Sequence, residues 1–207
     1  MTQLISTETN SRCDVCVFIA LKEEFAEFET VLGSSATKLS KPVGYEVFHR
    51  FQLPLSPPGP VRECVVAIAA QMGGERASRV AERMLEMLRS YRDHLSRAVI
   101  HCFTGDRRML YSYLDLDCHI GITGWICDER RGTHMKEYMA DIPSDRLMIE
   151  TDAPYLKPRN LRPKIKSHRN EPRLLPWILG TLAACRHEHP AALAETTTRT
   201  ARAFFRI

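Results

Sequence analysis

Between residues 98 and 205, short apolar runs alternate with helix-patterned stretches, and this alternation constrains the fold more than any other feature of the chain. Ala98–Phe103 reads as a strand and Arg107–Leu116 as a helix. His119–Thr123 reads as a second strand, Thr133–Met139 as a short helix and Arg146–Thr151 as a third strand. Glu171–Cys185 and Ala191–Phe205 follow as helices, the second opened by Pro190, a residue suited to the first helical turn. Strands separated by helices are joined by crossovers, so the alternation predicts a parallel α/β arrangement of about three strands.

The third strand ends in Leu147-Met-Ile-Glu-Thr-Asp-Ala-Pro-Tyr-Leu156, an apolar run that stops at two carboxylates and a proline turn. Residues two apart in a strand point the same way. Glu150 and Asp152 are therefore expected to project together from the C-terminal end of a buried strand, where α/β proteins place their chemistry. Two adjacent acids there are costly unless a cation or a proton neutralises them. The stretch points to a metal-dependent hydrolase.

Three marks stand in order. They are Val99-Ile-His-Cys-Phe-Thr-Gly105, then Ile120-Gly-Ile-Thr-Gly-Trp125, then Ile149-Glu-Thr-Asp-Ala-Pro-Tyr155 with Arg169-Asn-Glu-Pro172 behind it. In the second mark, small residues stand where a backbone must approach something closely. Together with Cys127-Asp-Glu-Arg-Arg-Gly132, the set resembles the TatD family of metal-dependent deoxyribonucleases from about residue 84 to the C-terminus. The resemblance implies an amidohydrolase-type TIM barrel, of which only the last three strands are legible, and hydrolysis of phosphodiester bonds in single-stranded DNA. It implies His101 and Asp152 as metal ligands, Asp152 and Glu150 as catalytic carboxylates, and Arg169 and Asn170 as substrate-binding residues. The implied cofactor is a divalent metal (Mg2+, Mn2+ or Zn2+), for which imidazole and carboxylate are suitable ligands. The family's further ligands, a His-x-His in the first strand, a glutamate ending the fourth and a histidine ending the fifth, have no counterparts before His101. His187-Glu-His189 lies between the last two helices and reads as a solvated corner. The expectation is a weakly held metal and reduced or lost activity. A non-catalytic nucleic-acid-binding protein is the alternative. Unpaired edges on a three-strand sheet also predict self-association.

The N-terminal half has a different pattern. Residues 1–12 are polar and expected to fray. Strand-like runs occur at Val15–Leu21, Tyr45–Leu53 and Glu63–Ala70, with helical patterns at Glu23–Leu32 and Glu75–Leu88. Leu53-Pro-Leu-Ser-Pro-Pro-Gly-Pro60 is a connector that neither helix nor strand tolerates. Val65-Val-Ala-Ile-Ala-Ala-Gln-Met-Gly-Gly-Glu-Arg-Ala77 reads as strand, glycine turn and helix, a design that can cradle an anion. Residues 13–83 are similar to the start of the nucleoside phosphorylase/nucleosidase superfamily, a small α/β fragment. That resemblance implies Glu24 as an acidic nucleoside-site residue. The chain then reads as a fusion of two fragments, 13–83 and 84–207.

Charge placement supports a polyanionic partner. Residues 157–173 hold seven Lys/Arg and one acid, Glu171, so this segment carries +6 of a total of +4 and the remainder is −2. A basic loop directly after the acidic strand end suits DNA or another phosphodiester substrate. No apolar run approaches membrane-spanning length, and the first ten residues lack the basic and apolar regions of a secretory signal. Seven cysteines, mostly inside apolar runs, read as reduced thiols of a cytoplasmic protein. Cys13-Asp-Val-Cys16 has no second pair and is not read as a metal site.

Overall fold

A computed structural model describes residues 13–19, 39–43, 46–53, 62–68, 82, 84–86, 88–90 and 92–207. The chain divides into two units, Met1–Ser96 and Arg97–Ile207. The proline-rich connector after Leu53, the glycine turn after Ile68 and Glu24 lie outside the described residues.

In the first unit four strands form one mixed sheet in the order β1-β4-β3-β2. They are β1 (Cys13–Ile19), β2 (Leu39–Val43), β3 (Glu46–Leu53) and β4 (Arg62–Ile68). β1 runs parallel to β4, and β3 is antiparallel to both β4 and β2. Three of these strands match the β-rich runs of the sequence. The fourth, β2, carries Pro42 and does not read as a strand from composition. It lies at the sheet edge, the one place where a residue without an amide proton is tolerated. Backbone at 82, 84–86 and 88–90 is helical.

The second unit is built on a three-stranded parallel sheet, β5 (Ala98–Ile100), β6 (Cys118–Ile122) and β7 (Leu147–Ile149), in that spatial order. The helices are α1 (Arg107–Leu114), α2 (Thr133–Lys136), α3 (Leu175–Arg186) and α4 (Pro190–Phe205). Ile120, Ile122 and Leu147 of the sheet are buried together with Leu110 of α1, Ile178 and Leu182 of α3, and Leu193 of α4. The predicted α/β alternation is therefore present, with β5 and β7 each paired on one side only among the described residues. No helix among these residues is long and apolar enough to cross a membrane.

The elements are shorter than their apolar runs suggest, because polar groups end them. α1 begins at Asp106, whose carboxylate accepts from Met109 N–H at 2.8 Å. It stops at Leu114, before the left-handed Asp117. α3 is preceded by a 3-10 turn over Pro172–Leu174 and ends at left-handed His187. His189 Nδ1 then accepts from Ala191 N–H at the start of α4, so His187-Glu-His189 is a helix-joining corner.

Arg186 is the main polar tie inside this unit. Its buried guanidinium donates to the carbonyls of Met139 and Ile142, both at 2.7 Å, and to Ser144 Oγ at 3.2 Å. It also pairs with Glu188 at 2.8 Å. A buried cation is costly unless its donors are met, and here they are met by the turn that precedes β7.

Candidate functional site

β5 and β7 are the two outer strands of the sheet, and both end in the residues singled out from the sequence. His101 directly follows β5, and Glu150 directly follows β7. The ladder runs one bond past each strand: Phe103 N–H donates to Gly121 C=O and Glu150 N–H to Ile122 C=O, each at 2.9 Å. The chain then breaks away through left-handed residues, Cys102 with φ 51° and Asp152 with φ 56°.

These turns bring the acids and the imidazole together. His101 Nδ1 lies 2.7 Å from Glu150 Oε2, and Nε2 lies 3.3 Å from Asp152 Oδ1. Glu150 Oε2 also accepts from Cys102 N–H at 3.1 Å. Strand alternation is not what aligns the carboxylates, in contrast to the sequence expectation. β7 ends at Ile149, and Asp152 reaches the imidazole from a turn beyond the strand. The carboxylates consequently grip opposite edges of one ring.

Gly121, on the central strand between them, makes room. A Cβ there would collide with the Glu150 carboxylate. Gly124 does the same for backbone, since a Cβ there would overlap the Leu156 carbonyl. The small residues of Ile120–Trp125 thus serve close approach, as the sequence suggests. Cys102 Sγ lies 3.3 Å from Thr123 Oγ1, which is fully buried and supports the turn after β5. Both residues lie within the sequence motifs, but nothing in the sequence assigns either of them a role.

The asymmetric charge of the cluster favours a proton on His101. Hydrogen bonding to Asp152 and then to Glu150 raises its pKa from 6.5 to about 10, against the opposing effect of partial burial. The ring is a charged imidazolium bridging two carboxylates. Among the described residues no group of three or more His, Cys, Asp or Glu side chains is placed to hold a metal ion. The donor types suit a divalent cation, but each carboxylate here faces an imidazole nitrogen, and the three side chains do not surround a common point. As they stand they do not fit a complete metal centre. A cation would have to displace the proton from His101 and draw further ligands from elsewhere.

The residues behind the turn divide into supports and surface. Asn170 is 2% exposed, and its amide is committed. Nδ2 donates to Thr151 C=O at 2.6 Å, Oδ1 accepts from Glu171 N–H at 2.9 Å, and its backbone N–H reaches Pro154 C=O at 2.9 Å. The side chain that the sequence singles out for substrate thus has its amide engaged inside the fold, beside the Asp152 turn. Arg169 beside it is exposed. Within the basic loop, Arg159 faces Asp128 at 3.6 Å, Arg173 pairs with Glu171 at 2.7 Å, and Lys157 donates to Ile165 C=O at 3.1 Å. Lys164, Lys166 and Arg169 stand exposed on the same segment.

A family model described as TatD related DNase matches residues 76–206, most of the chain and the whole of the second unit up to its last residue. The chain belongs to the TatD-related DNase family. The 3'-5' ssDNA/RNA exonuclease TatD of Salmonella typhimurium is 49% identical over 126 residues, covering 61% of this chain and 48% of the relative. The protein of the same name from Edwardsiella piscicida is 40% identical over 185 residues, covering 88% and 71%. The chain thus spans about half the length of the Salmonella TatD protein. Among solved structures, the TatD homolog YJJV from Escherichia coli k12 superposes with a TM-score of 0.54 at 22% identity, covering 62% of this chain and 48% of that one. A TatD-family hydrolase from Entamoeba histolytica gives 0.50 at 21% identity, covering 64% and 48%. These two likenesses establish the TatD-type fold of the matched part. The phosphorylase-like reading of residues 13–83, and with it the reading as a fusion, found no support. The Edwardsiella TatD alignment is long enough to run well into the first unit.

Proposed function

We propose that the second unit carries one wall of a TatD-type phosphodiesterase site acting on single-stranded nucleic acid, with activity below that of a full-length relative. The observation that carries this reading is His101 gripped at both nitrogens by Glu150 and Asp152, at the C-terminal end of a parallel sheet. The relatives named 3'-5' ssDNA/RNA exonuclease support the substrate class. A divalent cation (Mg2+, Mn2+ or Zn2+), held weakly, would supply Lewis acidity and a more acidic water. The chain's own residues have narrower tasks. Asp152 accepts the proton of the attacking water, Glu150 fixes the orientation of His101, and exposed Arg169 attracts the phosphate.

The exposed lysines of the 157–173 loop favour a second reading, a nucleic-acid-binding protein without catalysis. Self-association through the edges of β5 and β7, which no strand among the described residues pairs, fits either reading. Cleavage of labelled single-stranded DNA in Mn2+ or Mg2+, measured for the parent, His101→Ala and Asp152→Ala, tests the first. The expected outcome is chelator-sensitive cleavage lost in both variants. Equal cleavage in all three removes these residues from the mechanism. Salt-sensitive binding that is indifferent to chelator, without cleavage, favours the second reading.

A further inference from the structure

Cys127-Asp-Glu-Arg-Arg-Gly132 has no part in the His101 cluster, yet its geometry is strongly specified. It follows Trp125 in the loop leaving β6. Gly132 lets the chain fold back onto Trp125, because a Cβ there would overlap the Trp125 carbonyl. Asp128 fixes the turn. Its carboxylate accepts from the backbone N–H groups of Arg130 at 2.9 Å and Arg131 at 3.3 Å. Burial alone would raise the Asp128 pKa, but those two donors, helped by Arg159 and Arg130, hold it below the ordinary value.

The turn swings the Arg131 guanidinium over the Trp125 ring, with Cζ 5.6 Å from the centroid, inside cation–π range. Arg130 and Arg159 both face Asp128, whereas no carboxylate among the described residues is paired with Arg131, which is exposed. The same loop is tied to the segment after Asp152. Gly124 abuts the Leu156 carbonyl, and Arg159 bridges Asp128 and Glu129 at 3.6 and 3.9 Å. The Trp125–Arg131 pair therefore stands at the end of the sheet that carries the cluster.

We propose that Arg131, seated on Trp125, is a stacking platform for an unpaired base of the single-stranded nucleic acid whose backbone reaches His101 and Asp152. A guanidinium backed on one side by an indole and open on the other offers a flat cationic face, and a splayed base stacks on such a face. A duplex, whose bases are already stacked on one another, has none to offer. The platform rests on the nuclease reading of the site and adds the residues that grip the strand.

The test measures binding by fluorescence anisotropy of two nuclease-resistant phosphorothioate strands of equal length in Mn2+, one oligo(dT) and one abasic. The parent is expected to prefer oligo(dT). Arg131→Lys keeps the charge and loses the plane. It should weaken oligo(dT) binding by about five- to a hundredfold, the range for one stacked base, and leave the abasic strand nearly unchanged. Trp125→Leu should act in the same direction. Unchanged oligo(dT) binding by Arg131→Lys, or equal losses on both strands, overturns the platform and leaves the nuclease reading standing. Failure of the parent to bind either strand overturns both.

Discussion

The Glu150 carboxylate occupies the space that a side chain on residue 121 would need. Gly121→Ala should therefore expel Glu150 from His101 while leaving most of the fold intact. What must move is the end of a flexible side chain rather than backbone, so the stability lost is that of the Glu150 contacts and not the cost of an overpacked core. The signature is in the imidazole. With Glu150 displaced, the His101 pKa should fall only part of the way from about 10, because the Asp152 hydrogen bond that raises it most remains; NMR titration measures this. An unaltered titration would show that Glu150 does not hold the ring.

Asn170 and Arg169 are neighbours with opposite expected behaviour. Asn170→Ala leaves the half-buried Thr151 carbonyl and the Glu171 amide without their partner. Chemical denaturation should show a loss of about 1–3 kcal/mol. Arg169→Ala changes an exposed side chain and should stay within about 0.5 kcal/mol of the parent, while weakening nucleic-acid binding in a salt-dependent way. Equal stability of the two variants would contradict the supporting role assigned to Asn170.

Arg186→Met keeps much of the apolar stem but strands the carbonyls of Met139 and Ile142. A drop of about 2–4 kcal/mol in unfolding free energy is expected. Thermal unfolding checks it, and a change under 0.5 kcal/mol, the range of an ordinary surface substitution, would mean that water replaces the guanidinium.

Two histidines should give the stability opposite slopes in pH. His101 has a folded pKa of about 10 against 6.5 when unfolded. Its contribution is complete below pH 6.5 and is lost as pH rises from there toward 10. His119 is packed edge-on against Phe204 at 4.8 Å, with a buried Nδ1 that has no hydrogen-bond partner among the described residues. Burial, then the nearby Arg146, lowers its pKa. The unfolded chain takes up that proton first, so stability declines as pH falls below 6.5. The joint contribution peaks near pH 6.5. Urea midpoints across pH 5.5–9.5 should lose the alkaline decline in His101→Gln and the acid decline in His119→Leu.

The sequence disclosed the second unit well where apolar periodicity did the ordering. The three parallel strands and the two terminal helices stand where their runs suggested, and His101, Glu150 and Asp152 meet as the motifs implied. The manner of meeting was not legible. It depends on left-handed backbone at Cys102 and Asp152, of which cysteine gives no advance sign of φ > 0 and aspartate only a weak one. The inward hydrogen bonds of Asn170 were not legible either, because motif position does not tell which way a side chain points. In the first unit, β2 escaped because Pro42 lowers its strand character, and only its edge position makes the proline acceptable.

Asp128 accepts from its own loop and faces Arg159 of the next, and this has a consequence for engineering and for descent. The β6 loop and the loop beyond Asp152 are mechanically one part. Grafting either alone from another TatD protein would leave a carboxylate or a guanidinium without its counterpart and let the graft drift. The two segments should therefore be transplanted together, and within the family they should vary in step.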